Sequence, residues 1–400
     1  MRIDVGLARR DTPGCERVVH LNNAGASLQP RQVLDATIAH LRLEAEIGGY
    51  EAAARADGAV ERVYDAAAEL LGCARDEIAF TDSATRAWCA AFYAFGFRPG
   101  DRILLSRAEY GANAIAAWQV ARRTGARVEV VPDDGHGQLS VDALRELLDE
   151  RVRLIAVTHV PTHGGLVNPA GEIGEVARAA GVPFLLDACQ SAGQLPLDVG
   201  RLGCDLLTVT GRKWLRAPRG TGLLYARREL AEQLEPAMLD LHSAEWVAAD
   251  RVEIRPDARR FETWEANVAA KIGLGVALDY ALGWGLDAIW DRVRALGAAL
   301  RAGLAAVPGV TVHDLGQVKS GIVTFTVAGR SADAIRAALR AEGINVSVSL
   351  ASSARYDLDR RGLPELVRAS IHYYNTLAES ERLCNTVARL ARTASAGQRL

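Results

Sequence analysis

Short apolar stretches and longer segments of helical spacing alternate regularly through the middle of this 400-residue sequence. The apolar stretches are predicted to be strands because they are short and are separated by segments with helical periodicity. Strands that alternate with helices usually form a mainly parallel sheet with helices on both faces. The predicted strands span 103–106, 127–131, 154–158 and 184–186, and the predicted helices between them span 113–124, 141–150 and 171–180. The sequence therefore predicts an α/β domain.

The flanking regions extend this domain and add a second, smaller one. Residues 250–267 lack periodicity and are predicted to form a loop. The small unit is predicted to be α+β, with strands at 310–313, 321–327, 344–348 and 366–371 and helices at 332–342 and 377–393. The large unit is predicted to gain helices at 31–46, 59–71 and 268–282 and strands at 77–81, 205–209 and 222–225, and a helix at 286–306 leads into the small unit. We expect an N-terminal arm at 1–30, a large domain at 31–284 and a small domain at 285–400.

Composition excludes several classes of protein. The net charge is −2, from 47 basic and 49 acidic side chains, which does not favour binding to nucleic acid or to an anionic membrane. No stretch approaches ~20 uninterrupted apolar residues, and residues 1–10 do not resemble a secretory signal. The six cysteines are scattered without a CxxC pair, which is typical of a reducing compartment. We expect a cytoplasmic protein.

An acid and an amine follow two of the predicted strands. Asp187 ends the strand at 184–186, and Lys213 follows the strand at 205–209. Open α/β sheets bind their ligands at such strand ends. Taken alone, Asp187 can be a helix or turn cap, and Lys213 can be a solvated charge. Together they match what pyridoxal phosphate (PLP) requires, namely a carboxylate against its ring nitrogen and a lysine that forms an imine.

The sequence around this pair resembles a known family. The segments DACQSAGQLPLDV and TGRKWLRAPRGTGLLY resemble the class V aminotransferase family, which includes the cysteine desulfurases, and the resemblance runs from HLNNAGAS to RASIHYYNT. It implies the PLP-dependent transferase fold type I, with a mainly parallel seven-stranded sheet between helices and a small α+β C-terminal domain. It also implies PLP as cofactor, a small amino-acid substrate and a homodimer with a shared active site.

The resemblance assigns roles to individual residues. It gives Lys213, Asp187 and Tyr110 as catalytic residues, with Tyr110 stacked on the cofactor ring where relatives carry a histidine. Gln190 is expected to contact the phenolic oxygen of the ring. The residues expected to hold the phosphate are Ser83, Thr85, Thr210 and Arg212. In such relatives a loop of the partner subunit completes the phosphate site; Glu265 stands near the position of their threonine, so Thr263 or Asn267 is the expected contact.

The substrate is expected to be held mainly by Arg368, which matches the arginine that pairs with the α-carboxylate in the family. Further substrate contacts are expected from Asn23, Thr162, His163, Ser352 and Arg355. No metal site is expected, because His159 and His163 flank Pro161 and so do not share a helix face. The tract APRGTG lacks the strand–GxGxxG–helix order of a dinucleotide-binding motif.

Two departures argue against a plain cysteine desulfurase. Tyr110 is a poorer proton carrier at neutral pH than histidine. The region 343–370, where desulfurases carry a nucleophilic cysteine, contains Ser352 and Ser353 but no cysteine, and a hydroxyl cannot replace a thiolate as sulfur acceptor. The tracts EAEIGGYEAA, EYGAN, PTHGG and FETWEAN look more like the C–S lyases of the hercynylcysteine sulfoxide lyase type.

These observations predict a PLP-dependent C–S β-lyase. Its substrate would be an S-substituted L-cysteine or the corresponding sulfoxide, and its products a thiol or sulfenate, pyruvate and ammonia. The alternative is an aminotransferase or other chemistry at Cα, such as epimerisation or decarboxylation-linked deamination. A cysteine desulfurase is less favoured, and a non-enzymatic scaffold with the same fold is the least favoured.

Overall fold

The computed structural model describes residues 3–397, with side chains up to residue 392. Its helices are α1 Val5–Arg10, α2 Arg31–Ile47, α3 Gly49–Arg55, α4 Asp57–Leu71, α5 Ala84–Phe92, α6 Gly111–Thr124, α7 Val141–Leu147, α8 Ala170–Ala180, α9 Val199–Leu202, α10 Arg228–Ala231, α11 Val268–Trp284, α12 Leu286–Ala305, α13 Ala332–Ala341, α14 Arg355–Leu358 and α15 Leu377–Gly397. Its strands are β1 Val19–His20, β2 Ile78–Thr81, β3 Arg102–Leu105, β4 Arg127–Val130, β5 Val152–Thr158, β6 Phe184–Asp187, β7 Leu206–Thr210, β8 Gly222–Ala226, β9 Ala244–Ala248, β10 Arg251–Ile254, β11 Val310–Val312, β12 Ile322–Val327, β13 Ile344–Asn345, β14 Ser347–Leu350 and β15 Glu365–Ser370.

A seven-stranded sheet forms the centre of the large unit, in the order β2-β8-β7-β6-β5-β3-β4. Neighbouring strands from β7 to β4 are parallel, whereas β8 is antiparallel to both β2 and β7. The predicted α/β class and mainly parallel sheet are confirmed. Because six of the strands run in one direction, their carboxyl ends meet at one edge.

Both faces of this sheet are covered, as the continuous apolar strands require. Alternate residues of β6 point to opposite sides: Leu185 packs with α5 and α6, whereas Phe184 and Leu186 pack with residues of α4, α8 and α11. Among residues 3–397, no single helix is long and apolar enough to cross a membrane; α11 and α12 together have the length and composition, but they meet at 79°.

The second sheet has four antiparallel strands in the order β11-β12-β15-β14. It shares an apolar core with α12, α13 and α15. β1 pairs in parallel with β13, so the N-terminal segment is attached to this smaller unit. The domain division after residue 284 stays a proposal, which the break between α11 and α12 at Gly285 supports.

Two predictions about local structure were wrong. The region predicted to be a loop at 250–267 contains β10, which pairs with β9 in a hairpin, and a 3₁₀ turn at Ala258–Phe261. Trp246 faces Val252 in this hairpin, and both side chains are exposed. The hairpin therefore has no buried apolar face at this pair, which explains why the sequence lacks the periodicity of a core strand. The single strand predicted at 344–348 is divided, because β13 bonds to β1 and β14 bonds to β15.

Candidate active site

A cavity of about 80 Å³ opens where the parallel strands of the large sheet end. Nine residues predicted for the site line it together: Ser83, Thr85, Tyr110, Thr162, Asp187, Gln190, Thr210, Arg212 and Lys213. They come from different strand ends, since Ser83 follows β2, Tyr110 follows β3, Thr162 follows β5, and Asp187 ends β6. The fold thus collects them at one place, as ligand sites in open α/β sheets do.

Asp187 is buried, with 5% of its surface exposed. Its Oδ1 accepts a hydrogen bond from the Cys189 backbone N–H at 2.9 Å, and its Oδ2 accepts one from Asn113 Nδ2 at 2.9 Å. Within residues 3–397 it forms no ion pair. A buried carboxylate without a cation is costly, so the arrangement suits a cationic ligand.

Lys213 lies in the turn after β7 and faces the same cavity. Burial lowers the pKa of its ammonium to about 8, and the charges of Arg212 and Arg368 contribute to the lowering. Its Nζ forms no hydrogen bond or ion pair with the described part of the chain. A lysine whose pKa lies near neutrality can act as a nucleophile and as a base.

The turn that carries Lys213 is held by Arg216, which has φ of 63° and is the only non-glycine residue with positive φ among those described. Its fully buried guanidinium donates to the Leu28 carbonyl at 2.8 Å, to the Tyr373 hydroxyl at 2.7 Å and to the Thr12 hydroxyl. It also lies 4.5 Å from the centre of the Tyr374 ring. Positive φ costs a non-glycine residue of the order of 1 kcal/mol, which these contacts offset.

One end of the cavity is suited to a phosphate group. Ser83 is the N-cap of α5, so the first turn of a nine-residue helix, including Thr85, points its N–H groups at this end. Arg212 adds a positive charge, and burial lowers the pKa of its guanidinium. A Cβ on Gly222 would lie 2.7 Å from the Ser83 carbonyl carbon, so the glycine allows this turn to lie against β8.

Gln190 and Cys189 form part of the cavity wall next to Asp187. The Gln190 amide donates to the Ala24 carbonyl at 3.1 Å and to Thr162 Oγ1 at 3.2 Å, and its oxygen accepts from Trp214 Nε1 at 2.8 Å. Burial raises the pKa of the Cys189 thiol well above its ordinary value, and Asp187 raises it further. Cys189 therefore faces the site as a protonated thiol.

Tyr110 stands at the mouth of the cavity, with 39% of its surface exposed. Its backbone N–H bonds to Glu109 Oε1 at 3.2 Å and to Thr158 Oγ1 at 3.2 Å. No role was predicted for Glu109 or Asn113, which lie beneath Tyr110 and Asp187. Both belong to the tract EYGAN, where their i, i+4 spacing was the available signal.

Arg368, on β15, is buried beside the cavity, with 7% of its surface exposed. Its Nη1 donates to Thr162 Oγ1 at 2.6 Å, and its Nη2 donates to Asn22 Oδ1 at 3.3 Å. Its Nε is buried without a hydrogen-bond partner in the described part of the chain. Burial lowers the pKa of its guanidinium to about 10, which still leaves it charged at neutral pH. The free Nε–H suits a carboxylate.

Three predicted residues lie elsewhere. Asn23 is buried and bonds to the Ser370 carbonyl at 2.7 Å and to the Tyr374 hydroxyl; its neighbour Asn22 is the one that contacts Arg368. His163 is buried against Asp357, with Nε2 and Oδ2 2.9 Å apart, outside the cavity lining. Thr263 lines a separate cavity beyond the Ser83 turn. The predicted contacts of these three residues with substrate or cofactor stay predictions.

Ser352 and Arg355 lie outside the cavity lining as well. Both are exposed, and Arg355 pairs with Asp359 at 3.3 Å. The Ser352 carbonyl lies 3.2 Å from where a Cβ on Gly111 would be, so this segment does pack beside Tyr110. Their predicted contact with substrate stays a prediction.

The residues in the cavity fit PLP. Lys213 offers an unpaired amine to its aldehyde, and Asp187 offers its ring nitrogen a carboxylate that has no cationic partner in the described part of the chain. The α5 N-terminus and Arg212 form a cationic cup for its phosphate. The close approach at Gly222 shapes this cup, and Arg368, just outside the cavity lining, has a buried Nε without a hydrogen-bond partner in the described part of the chain.

Comparison with known proteins gives the same answer. The profile of the family described as "Aminotransferase class-V" matches residues 19–383. The chain is 32% identical over 400 aligned residues to a cysteine desulfurase of Synechococcus elongatus, which covers 97% of this chain and 64% of that protein. It is also 32% identical to a probable cysteine desulfurase of Xylella fastidiosa strain Temecula1, covering 98% of this chain and 94% of that one.

A solved structure shares the architecture as well. The cysteine desulfurase CsdA of Escherichia coli, in an S-sulfonic acid form, superposes with a TM-score of 0.90 at 27% identity, covering 98% of this chain and all of that one. Since the family profile extends over most of the sequence and the cavity supplies each group that the cofactor needs, the chain belongs to the class V aminotransferase family, with PLP as its cofactor.

Proposed function

We propose that the protein is a PLP-dependent C–S β-lyase. Its substrate is an S-substituted L-cysteine or the corresponding sulfoxide, and its products are a thiol or sulfenate, pyruvate and ammonia. The resemblance to lyases of the hercynylcysteine sulfoxide type supports a role in the metabolism of sulfur-containing compounds.

The observation that carries this proposal is the lack of a reactive thiol at the site. Segment 351–358, beside Tyr110, presents Ser352 and Ser353. Of the six cysteines, Cys189 lines the cavity, and the raised pKa keeps its thiol protonated. Sulfur transfer to the enzyme requires a thiolate. Elimination does not, because the sulfur leaves with the electron pair of the C–S bond.

The side chains divide the work of elimination. Arg368 binds the substrate carboxylate through Nε and so fixes the orientation of the Cα–H bond. Lys213 removes the Cα proton, for which a pKa near neutrality suits it. Asp187 holds the ring nitrogen. When bound, PLP supplies a conjugated ring that accepts the electron pair from Cα. The remaining three-carbon unit takes up water to give pyruvate and ammonia.

A cysteine desulfurase is the second candidate, because the relatives carry that name. The two functions differ in their products. The experiment incubates the purified protein with S-methyl-L-cysteine, S-allyl-L-cysteine sulfoxide and L-cysteine, without any 2-oxo acid. We expect pyruvate and methanethiol in equal amounts from S-methyl-L-cysteine, and pyruvate and a sulfenate in equal amounts from the sulfoxide. Alanine from L-cysteine, with the sulfur retained as a persulfide and released as sulfide only when a thiol reductant is added, would instead support a desulfurase. Turnover only after a 2-oxo acid is added would support an aminotransferase.

The assembly and location are part of the proposal. We infer a cytoplasmic homodimer that acts on small amino-acid substrates. The exposed segment around Thr263, which includes the half-exposed Trp264, is available to a second copy of the chain and supports the dimer.

A further inference from the structure

Two buried carboxylates meet at a single amide below the cavity. Asn113 Nδ2 donates one hydrogen bond to Glu109 Oε1 at 2.8 Å and another to Asp187 Oδ2 at 2.9 Å. Only 2% of the surface of Glu109 is exposed, so its carboxyl group is shielded from solvent like that of Asp187. Because the NH₂ group carries two protons, each carboxylate receives one of them.

Fixed donors surround the Glu109 carboxylate. The backbone N–H groups of Tyr110 and Thr158 donate to it at 3.2 and 3.1 Å, in addition to Asn113. The hydroxyls of Ser106, at 2.9 Å, and Thr158 donate as well. Burial raises the pKa of Glu109, and the charge of Asp187 raises it further. The N–H donors of Tyr110, Thr158 and Asn113 act in the opposite direction, because hydrogen bonds donated to a carboxylate favour its ionised form.

Glu109 also connects the two ends of the site. Through the Tyr110 N–H it holds the residue at the mouth, and through Asn113 it reaches Asp187 at the floor. Within residues 3–397 it has no ion-pair partner. Asp187 lacks one too, so neither of these adjacent carboxyl groups has a cationic partner in the described part of the chain.

We propose that Glu109 is a positioning residue whose ionised carboxylate, linked to Asp187 through Asn113, adds a second negative charge behind the ring nitrogen of PLP and keeps that nitrogen protonated. The proposal rests on PLP in the cavity and not on the reaction that follows. It makes a specific demand: the loss of Glu109 should weaken the binding of the ring nitrogen more than that of the aldehyde or the phosphate.

The test compares PLP with its carbocyclic analogue, in which a C–H group replaces the ring nitrogen. Both keep the aldehyde and the phosphate, so the ratio of their dissociation constants from the full-length apoprotein isolates the nitrogen. We call this ratio the nitrogen selectivity. For Glu109→Gln we expect the nitrogen selectivity to fall about tenfold, because a neutral amide replaces a charge in a dry site.

The matched control is Glu129→Gln on β4, where the same change removes a charge paired with Arg102 and the selectivity should not change. If Glu109→Gln does not fold, Asn113→Leu is measured instead. In this variant Glu109 and Asp187 lose the amide that donates to both of them. Their mutual repulsion then favours protonation of one carboxylate, so the nitrogen selectivity should again fall. A variant that weakens both compounds equally would show a merely structural role and overturn the proposal, as would an unchanged selectivity. Failure of the unmodified protein to bind either compound would contradict the cofactor itself.

Discussion

Two buried lysines can be compared. Lys271, on α11, lies in a polar cluster with Glu262, whereas Lys213 lies with Asp187 at the edge of the large sheet. Glu262 accepts hydrogen bonds from Tyr64 Oη at 2.9 Å, the Phe80 N–H at 2.7 Å and His242 Nε2 at 2.9 Å. Lys271 donates to Tyr64 Oη at 2.6 Å and lies 4.4 Å from the centre of its ring. Burial lowers the pKa of both lysines.

The two lysines therefore differ in their partners and not in their burial. Lys271 finds its partners inside the chain, whereas Lys213 finds none in the described residues. The arginines repeat the contrast: every nitrogen of Arg216 is bonded, but Nε of Arg368 is not. A buried charge that the fold does not satisfy indicates a place for a ligand.

Replacing the two lysines by methionine tests the contrast most strongly. Lys213→Met should lower activity by more than about 1,000-fold and abolish the visible absorbance of bound PLP, because no amine remains for the aldehyde. The apoprotein should melt no lower than wild type, since an unpaired buried charge is removed. Lys271→Met should lose about 3 kcal/mol of stability, because it breaks the buried hydrogen bond to Tyr64 and removes a positive charge that acts on Glu262.

Activity, absorbance and thermal melting measure these effects. Lys319→Met is the matched control on a partly exposed lysine that bonds to the Gly316 carbonyl. Equal loss of stability in Lys213→Met and Lys271→Met would break the comparison.

The arginines give the next largest effect. Arg368→Gln should raise KM by about 100-fold with little change in melting temperature, because it removes the charge that binds the carboxylate. Arg216→Gln should destabilise the fold by about 3 kcal/mol, since it breaks a saturated buried network. Steady-state kinetics and chemical denaturation separate the two. A loss of stability in Arg368→Gln as large as that in Arg216→Gln would contradict the assignment.

The pKa of Lys213 predicts a smaller, pH-dependent effect. Capture of the PLP aldehyde needs the neutral amine. With the pKa lowered to about 8, the capture rate of the apoprotein should rise about tenfold per pH unit below pH 8 and level off above it. Stopped-flow absorbance measures this profile. Since the charge of Arg368 lowers the pKa of Lys213, Arg368→Gln should move the profile to higher pH. A plateau only near pH 10 would show that the ammonium is solvated.

The smallest effect is expected at the exposed pair of Arg355 and Asp359. An ion pair at the surface contributes about 0–1 kcal/mol, and Arg355 lies outside the cavity lining. Arg355→Ala should therefore change kcat/KM less than about twofold. Comparison with Arg368→Gln on the same substrate is the control. A tenfold loss would restore the predicted contact between Arg355 and the substrate.

The sequence allowed the large sheet and most of the cavity to be predicted because both follow from local pattern. Short apolar strands in alternation with helices leave little choice of fold class, and residues just past parallel strands must meet at one edge. Asp187 and Lys213 were found in this way, whereas Ser83 was assigned by the resemblance to the family.

What the sequence could not supply depends on which way a side chain turns. Asn22 and Asn23 are neighbours in one turn, and only the tertiary structure decides that Asn22 faces Arg368. His163 turns away from the cavity because Asp357, far along the chain, is buried next to it. Glu109 and Asn113 belong to the tract EYGAN, but their link to Asp187 forms only when the ends of β3 and β6 are brought together in the folded sheet.

Arg216 makes the lysine turn depend on distant parts of the molecule. Its guanidinium bonds to Thr12 and Leu28 near the N-terminus and to Tyr373 in the smaller unit. Any rotation of the smaller unit against the large sheet, or removal of the N-terminal segment, must break some of these hydrogen bonds to Arg216. The position of the Lys213 amine in the cavity would then change. The reactivity of Lys213 is in this sense a property of the assembled chain and not of the strand that precedes it.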